Sequence, residues 1–148
     1  MRKTPPIPAE LLALSTMTLA TAGLDHQPHA AAVFFAAGPD LSLYFFSEDH
    51  SQHAQDLREK PRAATSIYPQ CDDWREIRGL QMRGSVRRLD PGAAWETGWE
   101  LYIKKFPFVA NLKAIVQKNS MHVFSPDWVR LVDNRRGFGY KKEWDLRP

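Results

Sequence analysis

Short apolar runs, each cut off before it reaches the length of an ordinary helix, dominate the first third of this chain. Residues 16–22 (TMTLATA) are rich in β-branched side chains and stop at the polar segment 23–27 (GLDHQ). Residues 29–37 (HAAAVFFAA) stop at Gly38, Pro39 and Asp40, and residues 41–47 (LSLYFFS) restart the pattern. Gly, Pro and Asp supply the turn conformations that such breaks need, so the pattern predicts three antiparallel strands. The runs are apolar on both faces near Phe34, Phe35, Phe45 and Phe46, which calls for a second layer over that part of the sheet.

The rest of the chain continues in the same manner, with two helical interruptions. Ser51 is placed to cap a helix over SQHAQDLREK, which cannot run past Lys60 because Pro61 follows. Residues 62–68 (RAATSIY) and the alternating stretch 76–89 read as strands around a polar loop holding Cys71, Asp72 and Asp73. Asp90 and Pro91 read as a cap and first-turn proline for a second helix, with Trp95, Trp99, Tyr102 and Ile103 at helical spacing. That helix ends or kinks at Phe106 and Pro107. MHVFSPDWVRLVDN and FGYKKEW supply the last strands, punctuated by Gly137 and Gly139. Many short strands without βα alternation predict a mainly β fold, a closed antiparallel barrel with few helices.

A length of 148 residues suits one domain, 1–148, whose residues 1–14 form an N-terminal helical segment built on PAELLAL. Hydrophobic residues make up 43 %, enough for a core. The lone Cys71 excludes an intrachain disulfide and fits a reducing compartment, so a cytoplasmic location is expected. No apolar run has signal-peptide or membrane-span length. The formal charge of +3 is a mild bias toward anions rather than a nucleic-acid footprint, although RRGFGYKK mixes basic and aromatic residues. Neither nucleic acid nor membrane is expected as a partner.

Several chemistries find no support. A dinucleotide-type glycine loop is missing, as is a GxSxG elbow. His26 with His29, and His50 with His53, form two HxxH spacings, yet one spans a turn, the other a helix start, and neither has an acidic ligand spaced to complete it. Metal is therefore not expected.

The stretch LSLYFFSEDHSQHAQDLREKPRAATSIY resembles the strand, turn, helix and strand of the pyridoxamine 5′-phosphate oxidase-like superfamily, with Ser47, Ser51 and the pair Pro61, Arg62 at matching spacing. RGLQMRGSVRRLD resembles its next strand and MHVFSPDWVRLVD its late strand. With KKFPFVANL and DNRRGFGYKKEW, the combination looks like a small bacterial family of that fold.

The resemblance implies an FMN-binding split barrel working as a homodimer, with flavin between the subunits. By position, Ala31, Ala32, Val33, Phe46, Ser47, Ser51, Gln52 and His53 would meet it, the phosphate lying at a helix start where free amides point outward. The superfamily's phosphate-gripping arginine falls at Ala31 and its Arg-Lys pair at Gln52 and His53. Lys104 and Lys105, or Arg135 and Arg136, are the candidate replacements. The ring-facing glutamine falls at Gly79, with Gln81 two residues on along the same strand face, and Trp144 is a candidate stacking ring. The implied activity is flavin-dependent oxidation or reduction of a small organic substrate, with the chemistry in the cofactor. The alternative is a non-catalytic dimeric binding or stress-related module that holds haem, another ligand or no cofactor.

Overall fold

A computed structural model describes residues 3–148; Met1 and Arg2, the start of the segment read as 1–14, lie outside the described residues. After α1 (Ala9–Leu12), β1 (Thr16–Ala22) and β2 (Pro28–Phe34) form an antiparallel hairpin. The two-residue β3 (Ala36–Ala37) pairs with β4 (Leu43–Ser47). Helix α2 (Gln52–Glu59) leads to β5 (Arg62–Ile67), and a loop with a 3-10 turn at Trp74–Glu76 leads to β6 (Arg78–Arg88). Helix α3 (Ala93–Lys105), a 3-10 segment (Pro107–Leu112) and α4 (Lys113–Val116) precede β7 (Ser120–Asp133) and β8 (Lys141–Asp145).

One sheet runs β2-β1-β5-β6-β7-β4-β3, and β8 also joins β7. The length of β7 makes this possible. Along β6 it is paired almost throughout, while its first residues serve β4 and its last serve β8. Period-two alternation decides what faces the inside of the curl: Met17 and Leu19 from β1, Ile67 from β5 and Leu80 and Met82 from β6 are buried there, as are Phe124 and Val129 of β7, which the extra residue between Pro126 and Trp128 brings to the same face. Each such side chain contributes about 1.5–3 kcal/mol by leaving water.

The second layer expected over the Phe45, Phe46 region is α3. Phe45 points into the core, while Phe46 points the other way and meets Trp99 and Tyr102 edge-on at 6.2 and 5.0 Å. Gly98 lets the helix come this close, because a Cβ there would stand 2.5 Å from both Met121 Sδ and Tyr44 Cδ1.

The structure departs from the sequence reading at five places. The run 29–37 breaks at Phe35, which turns fully inward while its amide donates to Ser15 O at 3.2 Å. Phe34 stays half exposed, so the second layer covers it only in part, through Phe106 at 5.3 Å. The second helix starts at Ala93 behind Gly92, whose φ of 154° needs a residue without Cβ, so Asp90 is no cap. The N-terminal helix is a single turn, ending at Leu12. The hydrogen-bonded ladder is an open path rather than a closed barrel: β2 and β3 are its ends, and β2 lies against β4 across the gap without pairing.

The open curl leaves an outward sheet face made of small residues. One row in register runs Ala32, Thr18, Ser66, Gln81, Arg130, from β2 across to β7. A cleft of about 730 Å³ lies on this face, with Thr16, Thr18, Ala32, Ser66, Tyr68 and Arg78 among its lining residues.

Candidate functional site at the start of helix α2

The end of β4 and the first turn of α2 bring three polar side chains together. Ser51 is the N-cap of α2, in extended conformation, and its Oγ accepts from the amide of Ala54 at 3.3 Å. Ser47 is the last residue of β4, where alternation points it inward. Its Oγ stands 2.9 Å from Ser51 Oγ and 2.6 Å from His53 Nε2. Burial holds the His53 imidazole below the ordinary histidine range, against the opposing pull of Asp56, so the ring is neutral near pH 7.

A second network fastens α2 to the hairpin. Asp56 is buried, and its Oδ2 accepts from Thr21 Oγ1 at 2.8 Å and contacts His29 Nδ1 at 3.0 Å, while Oδ1 accepts from Gln52 Nε2 at 2.9 Å. Burial pushes this carboxyl up, but the hydrogen bonds from Gln52, Thr21 and His29 outweigh it and hold it below the usual carboxylate range. On the other side, Ser120 donates to Asp49 Oδ1 at 2.6 Å and accepts from Arg88 Nε at 2.9 Å. His122, beside it on β7, stacks on Phe45 at 5.3 Å and is kept neutral chiefly by burial.

The residues proposed from the sequence divide accordingly. Ser47, Ser51 and His53 converge; Gln52 stands beside them with its amide turned to Asp56. Ala31 and Val33 share the face of β2 that carries His29, and Val33 packs on the core, while Ala32 lies on the opposite face and lines the cleft. The others are elsewhere. The Phe46 side chain is taken up by the aromatic packing with α3. Gln81 lies on the outward face, accepting from Arg130 at 3.2 Å. Gly79 has no room for a longer residue, since a Cβ would stand 2.6 Å from Ile67 O. Trp144 packs against the core beside Val129.

Lys105, read as a replacement cation, is engaged in holding the N-terminal segment. Its ammonium donates to Leu12 O and Leu14 O at 2.9 and 2.6 Å and sits 3.7 Å from the centre of the Phe35 ring. Burial pushes this amine down to about 8. Arg135 and Arg136 are paired with Asp133 at 3.0 and 3.7 Å, and Lys104 is exposed. Among these four replacement candidates, Lys105, Arg135 and Arg136 are therefore held by partners of their own.

The four histidines of the HxxH pairs do not converge either. His29 meets Asp56, His53 meets Ser47, and His26 lies 3.1 Å from Lys60 Nζ. Among the described residues, no three of His, Cys, Asp or Glu form a group suited to a metal ion. Sequence reasoning passed over Thr21, Asp56, Asp49, Ser120 and His122. A polar residue inside an apolar run, as His122 is, and an acid one turn after Gln52, as Asp56 is, were the available signals.

The family model described as pyridoxamine 5′-phosphate oxidase matches residues 5–133. A UPF0306 protein of Klebsiella pneumoniae is 32 % identical over 115 residues, covering 77 % of this chain and 74 % of the relative. Among solved structures, the conserved hypothetical protein Rv2991 of Mycobacterium tuberculosis superposes with a TM-score of 0.74 at 21 % identity, over 90 % of this chain and 88 % of the other. A heme binding protein of Mycobacterium smegmatis superposes with a TM-score of 0.75 at 20 % identity, over 96 % of this chain but 60 % of the other. The curled antiparallel sheet is thus the split-barrel fold, and the chain belongs to the pyridoxamine 5′-phosphate oxidase-like family and, within it, to the small bacterial group of the UPF0306 proteins.

Proposed function

We propose that this protein is a cytoplasmic homodimer that binds FMN and serves as a flavin-dependent oxidoreductase for a small organic substrate. The observation that carries the reading is the meeting of Ser47, Ser51 and His53 at the first turn of α2, in a chain of this family. The Ser47 hydroxyl and the first-turn amides of Gln52 and His53 suit the acceptor oxygens of a phosphate, while Ser51, whose hydroxyl donates to Glu48 O at 2.8 Å and accepts from the Ala54 amide, fixes the turn that presents them. The donor set fits the group; fixed charge is what it lacks. A charge-assisted bond contributes about 1.5–3 kcal/mol, so the residues at positions 31, 52 and 53 give a weaker anchor than a trio of cations would.

The flavin, when bound, supplies hydride and electron transfer. The chain's part is to seat the phosphate on Ser47 and the start of α2 and to offer the small-residue face along Ala32, Thr18 and Ser66 for a second copy to cover. Oxidation of a phosphorylated amine is disfavoured as the activity, since the cations such a ligand would need are depleted. The single exposed Cys71 suits a reducing compartment, and no helix among the described residues is long and apolar enough to cross a membrane.

Titration with FMN and riboflavin, followed by flavin fluorescence and light scattering, tests this reading. FMN is expected to bind a dimer, and Ser47→Ala to weaken FMN while leaving riboflavin unchanged. A monomer indifferent to FMN, or equal FMN affinity in both proteins, would overturn it.

One observation favours a haem-binding module instead. His29 is oriented by a carboxylate through Nδ1 and is 39 % exposed, the arrangement of a histidine prepared to ligate through Nε2. A Soret band on adding haem, abolished in His29→Ala, would support that reading; unchanged spectra would remove it.

A further inference from the structure

We propose that His53 stands in for a fixed cation by taking up a proton when a phosphate arrives, so that FMN binds more tightly as the pH falls. The inference rests on the phosphate seat described above and concerns what supplies its missing charge. His53 occupies a position of the Arg-Lys pair, and its Nε2 is already 2.6 Å from the hydroxyl that would meet the phosphate. While Nε2 is unprotonated it is the nearest acceptor for the Ser47 proton, ahead of Ser51 Oγ at 2.9 Å and Glu48 O at 3.2 Å, and a hydroxyl that donates to it has no hydrogen left for another acceptor. A proton from solvent on Nε2 reverses the bond. The ring then donates to Ser47 Oγ, and the Ser47 hydrogen turns to a phosphate oxygen.

The surroundings pull the ring in opposite directions. Burial of His53 disfavours its charge, and Asp56, one turn along the same helix, favours it. Across from α2, β7 presents His122, whose charge is disfavoured first by burial and also by His53. Asp49, in the loop before α2, and Arg88 of β6 are joined to each other through Ser120 and at 3.5 Å directly, which largely cancels their fields. None of these is a fixed cation free to meet the phosphate, so a dianion would make the largest change in field that His53 experiences.

The sign follows from linkage. The free ring titrates below the usual histidine range and the ring beside a dianion titrates higher. Between those two values binding takes up a proton, and affinity falls as pH rises, by at most about tenfold per pH unit. Below about pH 6 the phosphate itself becomes protonated and the trend is lost.

Calorimetric titration of the full chain with FMN and with riboflavin, between about pH 6.5 and about 9 in buffers of high and low ionisation enthalpy, reads both quantities. Expected are an FMN dissociation constant that rises with pH, approaching tenfold per unit in the steepest region, and uptake of up to about one proton per FMN. Riboflavin should show neither. His53→Lys should bind FMN at least as tightly without the pH trend, and His53→Gln should bind it weakly and without the trend. FMN binding that is independent of pH, or a trend that survives in His53→Gln, overturns this inference and leaves the proposed function standing. No FMN binding by the wild type at any pH overturns both.

Discussion

Removing the Asp56 carboxylate tests how α2 is held over the hairpin. In Asp56→Ala, Thr21 loses its acceptor at 2.8 Å, and both residues are almost fully buried, at 5 and 3 % exposure. An orphaned buried hydroxyl costs about 1–3 kcal/mol. His29 and Gln52 lose bonds of 3.0 and 2.9 Å but stand where water can replace them, so they add about 1 kcal/mol. The total is about 2–4 kcal/mol, and at this chain length the melting temperature should fall by about 5–15 °C. Asp56→Asn separates hydrogen bonding from charge. Its oxygen can still serve Thr21 and its amide can meet a rotated Gln52 side chain, so it should cost about 1 kcal/mol. Urea unfolding gives both values if the m-value is unchanged. The acid limb adds a check, because the carboxyl titrates lower in the folded protein than in the unfolded chain. Its stabilisation is complete above the ordinary aspartate range and is lost as the pH drops through the folded value, a loss Asp56→Asn should lack. If Asp56→Ala unfolded within about 0.5 kcal/mol of the wild type, the network would be a surface coincidence and the anchoring argument would fail.

Two further substitutions probe the frame around the site. Gly84 lies at the irregularity where β6 opposes Pro126 after Arg83 has opposed Trp128, and a Cβ there would stand 2.2 Å from Ser125 O. Backbone cannot yield as a side chain does, so Gly84→Ala should cost about 3 kcal/mol or more, or abolish soluble expression; near wild-type melting would refute the register. Lys105 titrates near 8 when folded and at 10.5 when unfolded, so the unfolded chain binds more protons between those values. Wild-type stability should therefore rise across that interval, and denaturant midpoints for Lys105→Met should not.

How far the sequence could be read depends on how local each cause is. β1 was legible to the residue because its alternation and flanking turn residues lie within one short segment, and so were the N-cap Ser51 and the stop at Pro61. Ser47, Ser51 and His53 span seven positions of a matching motif, so their meeting could be expected from the same stretch. Phe35 was misread because its inward turn comes from an amide bond to Ser15, a partner the run 29–37 does not contain. Asp90 was misread because a good capping residue competes with whatever backbone the preceding strand delivers, and here a glycine at positive φ starts the helix.

Charge was the least legible property, for a physical reason that bears on the site itself. A lysine or arginine seeks the nearest acceptor in space, and three-dimensional neighbours are not visible along the chain. Lys105 finds carbonyls more than ninety residues away, and Arg135 and Arg136 find Asp133 two and three residues back. Each of these cations is satisfied without a ligand, and moving one to the start of α2 would orphan the groups it now serves. His53 differs because, near neutral pH, it carries no charge that must be satisfied. A seat built from hydroxyls, amides and a neutral imidazole holds no fixed positive charge while it is empty. That is why the charge needed there is best sought in a proton gained on binding rather than in a residue still to be found.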